Sequence, residues 1–280
     1  MFGYRHSFHA GNFADVFKHA VLVQLLLALR RKEAPFCVLD THAGIGRYDL
    51  AADFAQKTGE YRDGIGRLWD CGDTGAELAA YRERVREFNG PGRLRAYPGS
   101  PRIARALLRQ QDRLILCELN PADHALLKRE FQGDPQVAVH CQDGYAALKA
   151  FTPPKERRGL VLIDPPFEQA GEFQRLLDGL RLLAQRWPGG VVAAWYPIIG
   201  RRDSERFLVR AGELGLPKLL CAELGLYPYD VPLGMSGCGM LIVNTPWQLD
   251  QALQRLLPEL LSRLRRDHPG QTRLEWLTRE

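Results

Sequence analysis

No run of apolar residues in this 280-residue chain approaches the roughly 20 needed to span a bilayer. The opening stretch MFGYRHSFHAGNFADVFKHA is polar and rich in histidine, unlike a signal peptide. These two features lead us to expect a cytoplasmic protein with no membrane partner. The six cysteines (Cys37, Cys71, Cys117, Cys141, Cys221 and Cys238) include no C-x-x-C pair, which argues against a zinc ribbon or a thioredoxin-like redox motif. Cys37, Cys117 and Cys141 each fall in a short apolar run, and the cysteines read as small core side chains in a reducing compartment. H-E-x-x-H is likewise missing. His6-x-x-His9 is an admissible ligand spacing, but without either motif no metal is expected. Neither sign of charge dominates: 38 Lys and Arg against 33 Asp and Glu leave a net charge of +5. That excess is compatible with a polyanionic partner without establishing one. There is no internal repeat, low-complexity tract or obvious linker, and the chain is long enough to bury a core without staples.

What is present is an alternation of helical and strand-like segments. Residues 13–31 have helical apolar spacing and a basic last turn, and FCVLD (36–40) reads as a buried strand running into the glycine-rich turn THAGIGRYD. Further strands are expected at 113–119, 136–143, 159–167, 189–197, 217–224 and 238–244, with a last strand-like QTRLEWL. Helices are expected at RIARALLRQQ, about 121–131, 170–186, 203–214 and 247–266. Ser100 and Pro101 read as the N-cap and first residue of the helix RIARALLRQQ. Continuously apolar strands between helices imply an α/β fold with a mainly parallel sheet covered on both faces, whose ligands bind at the carboxyl ends of the strands.

Several chemically suggestive residues fall at those ends. Asp40-Thr-His-Ala-Gly-Ile-Gly46 supplies a glycine turn after the first strand, and Glu118 ends the next strand as an acid for ribose hydroxyls. In a plain dinucleotide fold the acid follows about 20 residues after the glycines; here it lies far beyond, so residues 50–98 read as an inserted helical subdomain within a single domain spanning 1–280. Asp143-Gly144 follows the third strand, and Asp164 the fourth. Ile163-Asp164-Pro165-Pro166-Phe167 is the most specific pattern in the chain. Two prolines fix φ and stiffen the turn, so Asp164 is held in one orientation. This is the signature of amino-methyltransferases with Asn/Asp-Pro-Pro-Tyr/Phe. A carboxylate and the Pro165 carbonyl accept the two N–H bonds of an exocyclic amine, aiming its lone pair at a methyl donor, while Phe167 stacks on a flipped base. At the start of the chain Tyr4, Arg5, His6 and Lys18 supply the donors and aromatic face of an RNA-binding arm.

YRHSFHAGNFADVFKH, LDTHAGIGRYDL, YPGSPRIAR, LCELNP, QDGYAAL, LIDPPFE, AAWYPI and SGCGMLIVNTPW, taken in order along essentially the whole chain, resemble the RlmJ family of bacterial 23S ribosomal RNA adenine-N6 methyltransferases. The resemblance implies a Rossmann-like class I methyltransferase fold with the inserted helical subdomain, S-adenosyl-L-methionine as cofactor, and one adenine (position 2030 in the usual rRNA numbering) as target. Its partner would be 23S rRNA, naked or in early assembly, with no obligate protein partner. It implies cofactor contacts at His19, His42, Ser100, Glu118, Asp143 and Gly144, Asp164 as the catalytic acceptor, and Tyr4 against substrate RNA. His42 stands where many methyltransferases have the first glycine of the loop, Phe167 replaces a tyrosine, and Phe13 replaces a histidine. Two other readings remain: a DNA adenine methyltransferase, for which the insertion would be the target-recognition region, and a catalytically idle RNA-binding assembly factor.

Overall fold

The computed structural model describes residues 6–228 and 234–279. Asn12 starts the first helix: its side-chain oxygen accepts the backbone N–H groups of Ala14 and Asp15, both at 3.0 Å. This helix, α1 (Phe13–Arg30), is buried over most of its circumference. It can be so because other helices cover the side that the sheet does not.

The first strand, β1 (Cys37–Asp40), is flanked by parallel β4 (Arg113–Cys117) on one side and parallel β6 (Gly159–Ile163) on the other. Outside β4 lies β5 (Val137–His140), and outside β6 lies β7 (Val191–Ile198), both parallel. Three more strands extend the sheet beyond β7. They are β8 (Leu219–Gly225), β9 (Gly237–Val243) and β10 (Gln271–Thr278), giving the order β10-β8-β9-β7-β6-β1-β4-β5. β9 runs antiparallel to both β7 and β8, and β10 antiparallel to β8. The chain is therefore an α/β, Rossmann-like protein with a mainly parallel sheet.

The strands alternate with period two. Val38, Leu114, Leu116, Leu160 and Leu162 enter one core, and Leu39, Ile115, Cys117, Val161 and Ile163 the other. The first core lies under α1, α5 (Ser100–Leu107), α6 (Pro121–Glu130) and α10 (Leu249–Leu264). The second lies under α7 (Gly144–Phe151), α8 (Glu172–Arg186) and α9 (Arg201–Gly212). After β1 the chain moves outward to β4 and β5, then returns to β6 on the opposite side of β1. The strand order reverses there, which opens a crevice at the carboxyl ends of β1 and its neighbours.

Residues 50–95 lie between two short strands, β2 (Arg47–Asp49) and β3 (Ala96–Pro98), which pair antiparallel with Tyr48 opposite Tyr97. Between them α2 (Asp53–Thr58), α3 (Ile65–Trp69) and α4 (Ala76–Asn89) send Ala55, Ile65, Leu68, Leu78, Tyr81 and Val85 into the first core.

Asp143 caps α7, accepting Ala146 N–H at 2.9 Å, and α7 is too short for its apolar spacing to stand out in GYAALKAF. Two local expectations need correction. Ser100 is the first residue of α5 and not its cap; Gly99 holds the cap position and the Ser100 hydroxyl points elsewhere. Cys141 is exposed and Cys71 only partly buried, while the other four cysteines are in the core. Cys141 follows the edge strand β5, whose residues are all only partly covered.

Candidate active site

A cavity of about 620 Å³ opens at the carboxyl ends of the parallel strands, within the range of ligand pockets. Its walls include His6, Lys18, His19, His42, Ser100, Glu118, Asp143, Gly144, Asp164 and Phe167. The fold thus gathers at one place ten residues singled out from the sequence. Tyr4 and Arg5 lie outside the described residues.

The turn after β1 forms one half. Gly44 (φ +61°) and Gly46 (φ +77°) take left-handed backbone conformations. A side chain on Gly44 would also collide with the Tyr48 hydroxyl. The turn directs the Gly44 N–H at Glu118 Oε2 (2.9 Å), and the Asn120 N–H holds Glu118 Oε1 (2.8 Å). Glu118 is thereby fixed at the end of β4. Burial pushes its carboxyl above the usual range, against the pull of those backbone bonds. Across the cavity Gly144 packs so tightly on the Thr41 carbonyl and the His42 ring that a Cβ would overlap both. The second Asp143 oxygen lies 3.3 Å from the Arg175 guanidinium.

Asp40 is buried behind this half, its Oδ2 accepting the Ser100 hydroxyl at 2.6 Å and its Oδ1 the His42 N–H at 3.3 Å. Burial pushes its carboxyl up to about 7; Ser100 works against that rise and the nearby Asp164 adds to it. His19 (1% exposed) bonds Tyr97 through Nδ1 at 2.7 Å.

The Asp-Pro-Pro-Phe turn forms the other half. Asp164 follows the last residue of β6. After the two prolines Phe167 adopts φ +53°, a strained conformation for an aromatic residue. Its ring meets Phe173 edge-on at 5.0 Å and Trp195 at 5.9 Å, building an aromatic wall beside Asp164.

Lys18 connects the two halves of the chemistry. Expected from the sequence on an RNA-binding arm, it is 5% exposed, and its ammonium lies between Asp15 Oδ1 (2.9 Å) and Asp164 Oδ2. It faces Asp164 instead of offering a surface contact to a phosphate. Asp15 also accepts His6 Nε2 at 2.8 Å and the Gly11 N–H at 2.9 Å. Burial would raise the Asp15 carboxyl, but the charges of His6 and Lys18 hold it well below its usual range. Burial would likewise lower the Lys18 ammonium, and Asp15 and Asp164 hold it well above its usual value instead. The result is a line His6–Asp15–Lys18–Asp164 in which one Asp164 oxygen is held by a cation.

His6 and His9, the candidate metal pair, turn to different carboxylates: His9 Nδ1 bonds Glu60 at 2.8 Å. Among the described residues no group of three or more His, Cys, Asp and Glu side chains is arranged to hold a metal ion, and no helix is long and apolar enough to cross a membrane.

Several site residues were not singled out from sequence. Asp15 precedes Lys18 by three positions, an i,i+3 spacing on one helix face that was there to be read. Asp40, Tyr97, Tyr81, Trp195 and Arg175 were not read from the sequence: the bonds Asp40–Ser100, Tyr97–His19 and Arg175–Asp143 join residues 60, 78 and 32 positions apart.

The comparisons with known proteins agree with this geometry. The family model described as "Ribosomal RNA large subunit methyltransferase D, RlmJ" matches residues 33–278. Ribosomal RNA large subunit methyltransferase J of Escherichia coli strain K12 is 45% identical over 280 residues, covering 100% of both chains. The protein of the same name from Haemophilus influenzae is 43% identical over 281 residues, again covering 100% of both. The crystal structure of protein LPL1258 from Legionella pneumophila superimposes with a TM-score of 0.89 at 34% identity, covering 96% of this chain and 98% of that one. The chain belongs to the RlmJ family of ribosomal RNA large subunit methyltransferases.

Proposed function

We propose that this chain transfers a methyl group from S-adenosyl-L-methionine to the exocyclic N6 amine of one adenine in 23S rRNA. The observation that carries this reading is the Asp164 carboxylate, held by Lys18 beside the Phe167 wall and opening into the same cavity as Glu118 and the Gly44 turn.

The residues suit that cofactor. Glu118, anchored by two backbone N–H groups, is an acceptor for a ribose diol. Asp143, Gly144, His42, His19 and Ser100 line the same cavity. The cavity is lined by more carboxylates than cations, with Lys18, Arg175 and Arg266 as its Lys and Arg members. Such a surface favours a cationic ligand and a neutral base, and leaves RNA phosphates outside. When bound, S-adenosyl-L-methionine supplies an electrophilic methyl group.

The protein's part is positioning. An adenine amine is a poor nucleophile while its lone pair is delocalised into the ring. Asp164 and the Pro165 carbonyl accept its two N–H bonds and turn the lone pair towards the donor. Lys18 keeps Asp164 aimed, and Asp164 is the acceptor for the proton that nitrogen sheds. Phe167 and Trp195 offer faces for a base flipped out of a loop. RNA loops, naked or in early assembly, present such a base at lowest cost, and no obligate protein partner is invoked.

The test is transfer of labelled methyl groups to an rRNA fragment containing the target adenine, beside a matched DNA hairpin. Transfer to N6 of one adenine in the RNA is expected. Equal or better transfer to DNA would establish the DNA methyltransferase reading, and tight RNA binding without transfer the assembly-factor reading.

A further inference from the structure

Three buried side chains from three elements form a line that ends in the cavity. Tyr81 comes from α4, Tyr97 from β3 and His19 from α1. Tyr81 Oη lies 2.9 Å from Tyr97 Oη, which lies 2.7 Å from His19 Nδ1. Both phenols are 0% exposed, and among the described residues neither hydroxyl has another hydrogen-bond partner. The Tyr97 ring stacks on the His19 imidazole, with centroids 5.5 Å apart at 26°. With Nδ1 engaged, Nε2 is the ring nitrogen left to a ligand; the His19 ring lines the cavity, and Nε2 is not among the buried atoms without a partner.

Counting protons decides the direction of this line. Two hydrogen bonds join three heavy atoms. If His19 carried its proton on Nδ1, three protons would compete for those two bonds, and one hydroxyl hydrogen would be stranded in a dry interior. Such unmade bonds are expensive. If Nδ1 is unprotonated, Tyr81 donates to Tyr97, Tyr97 donates to Nδ1, and every proton is used. Burial lowers the His19 pKa to about 3, so the ring is neutral and has one proton to place. The bond made at one ring nitrogen sets the state of the other.

We propose that Tyr97, backed by Tyr81, is a positioning residue that fixes His19 as the Nε2–H tautomer, so that His19 presents a hydrogen-bond donor to the carboxylate of the bound cofactor. The donor role rests on the cofactor reading given above; the tautomer does not. Since Tyr81 and Tyr97 both lie within residues 50–98, that segment acts on His19 through two phenols, beside the cavity-lining Glu60 and Asp63 that it also supplies.

The first measurement is the tautomer in the full-length protein without ligand, read by long-range 1H–15N correlation after histidine labelling, with His19 assigned by its loss in His19→Ala. The expected result is a pyridine-type Nδ1 and a pyrrole-type Nε2. A protonated Nδ1 would overturn the proposal, whatever the cofactor does. Tyr97→Phe should give a mixed tautomer, and Tyr81→Phe a smaller shift in the same direction, because Tyr97 still has its own proton to donate. The second measurement is calorimetric affinity for S-adenosyl-L-methionine and for its decarboxylated analogue. Tyr97→Phe should weaken the first on the order of tenfold and leave the second unchanged. Equal loss for both compounds would mean general loosening and overturn the donor role. An Nε2–H tautomer in a protein whose His19→Ala variant binds S-adenosyl-L-methionine normally would overturn the cofactor reading of His19, and the donor role with it.

Discussion

Replacing Lys18 with methionine removes the one ammonium shared by Asp15 and Asp164 while keeping most of the side-chain volume. The side chains of Lys18 and Asp15 are 6% and 1% exposed, so solvent does little to screen the loss. Breaking a buried pair by deleting one partner costs about 3–5 kcal/mol, mostly through the charge left behind. For a chain of this size that corresponds to a fall in Tm of roughly 5–15 °C. The pH dependence gives a sharper signature. In the parent protein the folded Lys18 pKa is raised, so its contribution is complete below the unfolded value and fades only as pH rises beyond it. The folded Asp15 pKa is depressed, so its contribution is complete above the unfolded value and fades only in acid. Between about pH 5 and about pH 8 this pair therefore gives the parent no slope. In Lys18→Met, burial acts on Asp15 with His6 as its opponent, the carboxyl rises, and stability falls as pH increases across that window. Urea unfolding at several pH values, beside kcat profiles for methyl transfer, measures both effects. A Lys18→Met protein with the parent's Tm, a flat pH profile and the parent's kcat would refute the claim that this ammonium holds Asp164.

Glu118→Ala should weaken S-adenosyl-L-methionine by about 1.5–3 kcal/mol, read by calorimetry without RNA; unchanged affinity would remove Glu118 from the cofactor site. Asp40→Asn should remove a pH-dependent cost. The folded Asp40 pKa is raised to about 7, so wild-type stability declines as pH rises from the unfolded carboxyl value towards neutrality, and the variant should lack that decline in urea titrations. Gly144→Ala places a methyl group on the Thr41 carbonyl and the His42 ring; a loss of about 1–3 kcal/mol in stability is expected, and an unperturbed Tm would show that the contact relaxes freely.

The parallel sheet was legible because its strands are continuously apolar and short, and Glu118, Asp143 and Asp164 could be placed at strand ends before any coordinates. The long interval between the glycine turn and Glu118 led to the expectation of an insertion over residues 50–98; in the structure the chain between paired β2 and β3 is largely helical. What escaped was long-range pairing. Lys18 and Asp164 are 146 positions apart, and Ser100 and Asp40 60; nothing local marks either bond. Lys18 was grouped with Tyr4, Arg5 and His6 as an RNA-binding donor, yet it lies on buried α1 and lines the cavity. Ser100 had the sequence of a helix cap, and a buried carboxylate takes its hydroxyl instead. Tyr97, which bonds His19, and Tyr81, which bonds Tyr97, are 78 and 16 positions from those partners, so only the fold reveals that they share a hydrogen-bonded line.

The central claim is that Asp164, held by Lys18, directs methylation of one adenine. Its most direct test is site-resolved mapping of adenine N6 methylation in 23S rRNA from cells carrying the gene, lacking it, or expressing Asp164→Ala at equal protein level. The expected result is one adenine fully methylated with the gene, unmodified without it and almost unmodified with Asp164→Ala, although the variant still binds S-adenosyl-L-methionine in vitro. Full methylation by Asp164→Ala, or a 23S adenine map unchanged by loss of the gene, would contradict it.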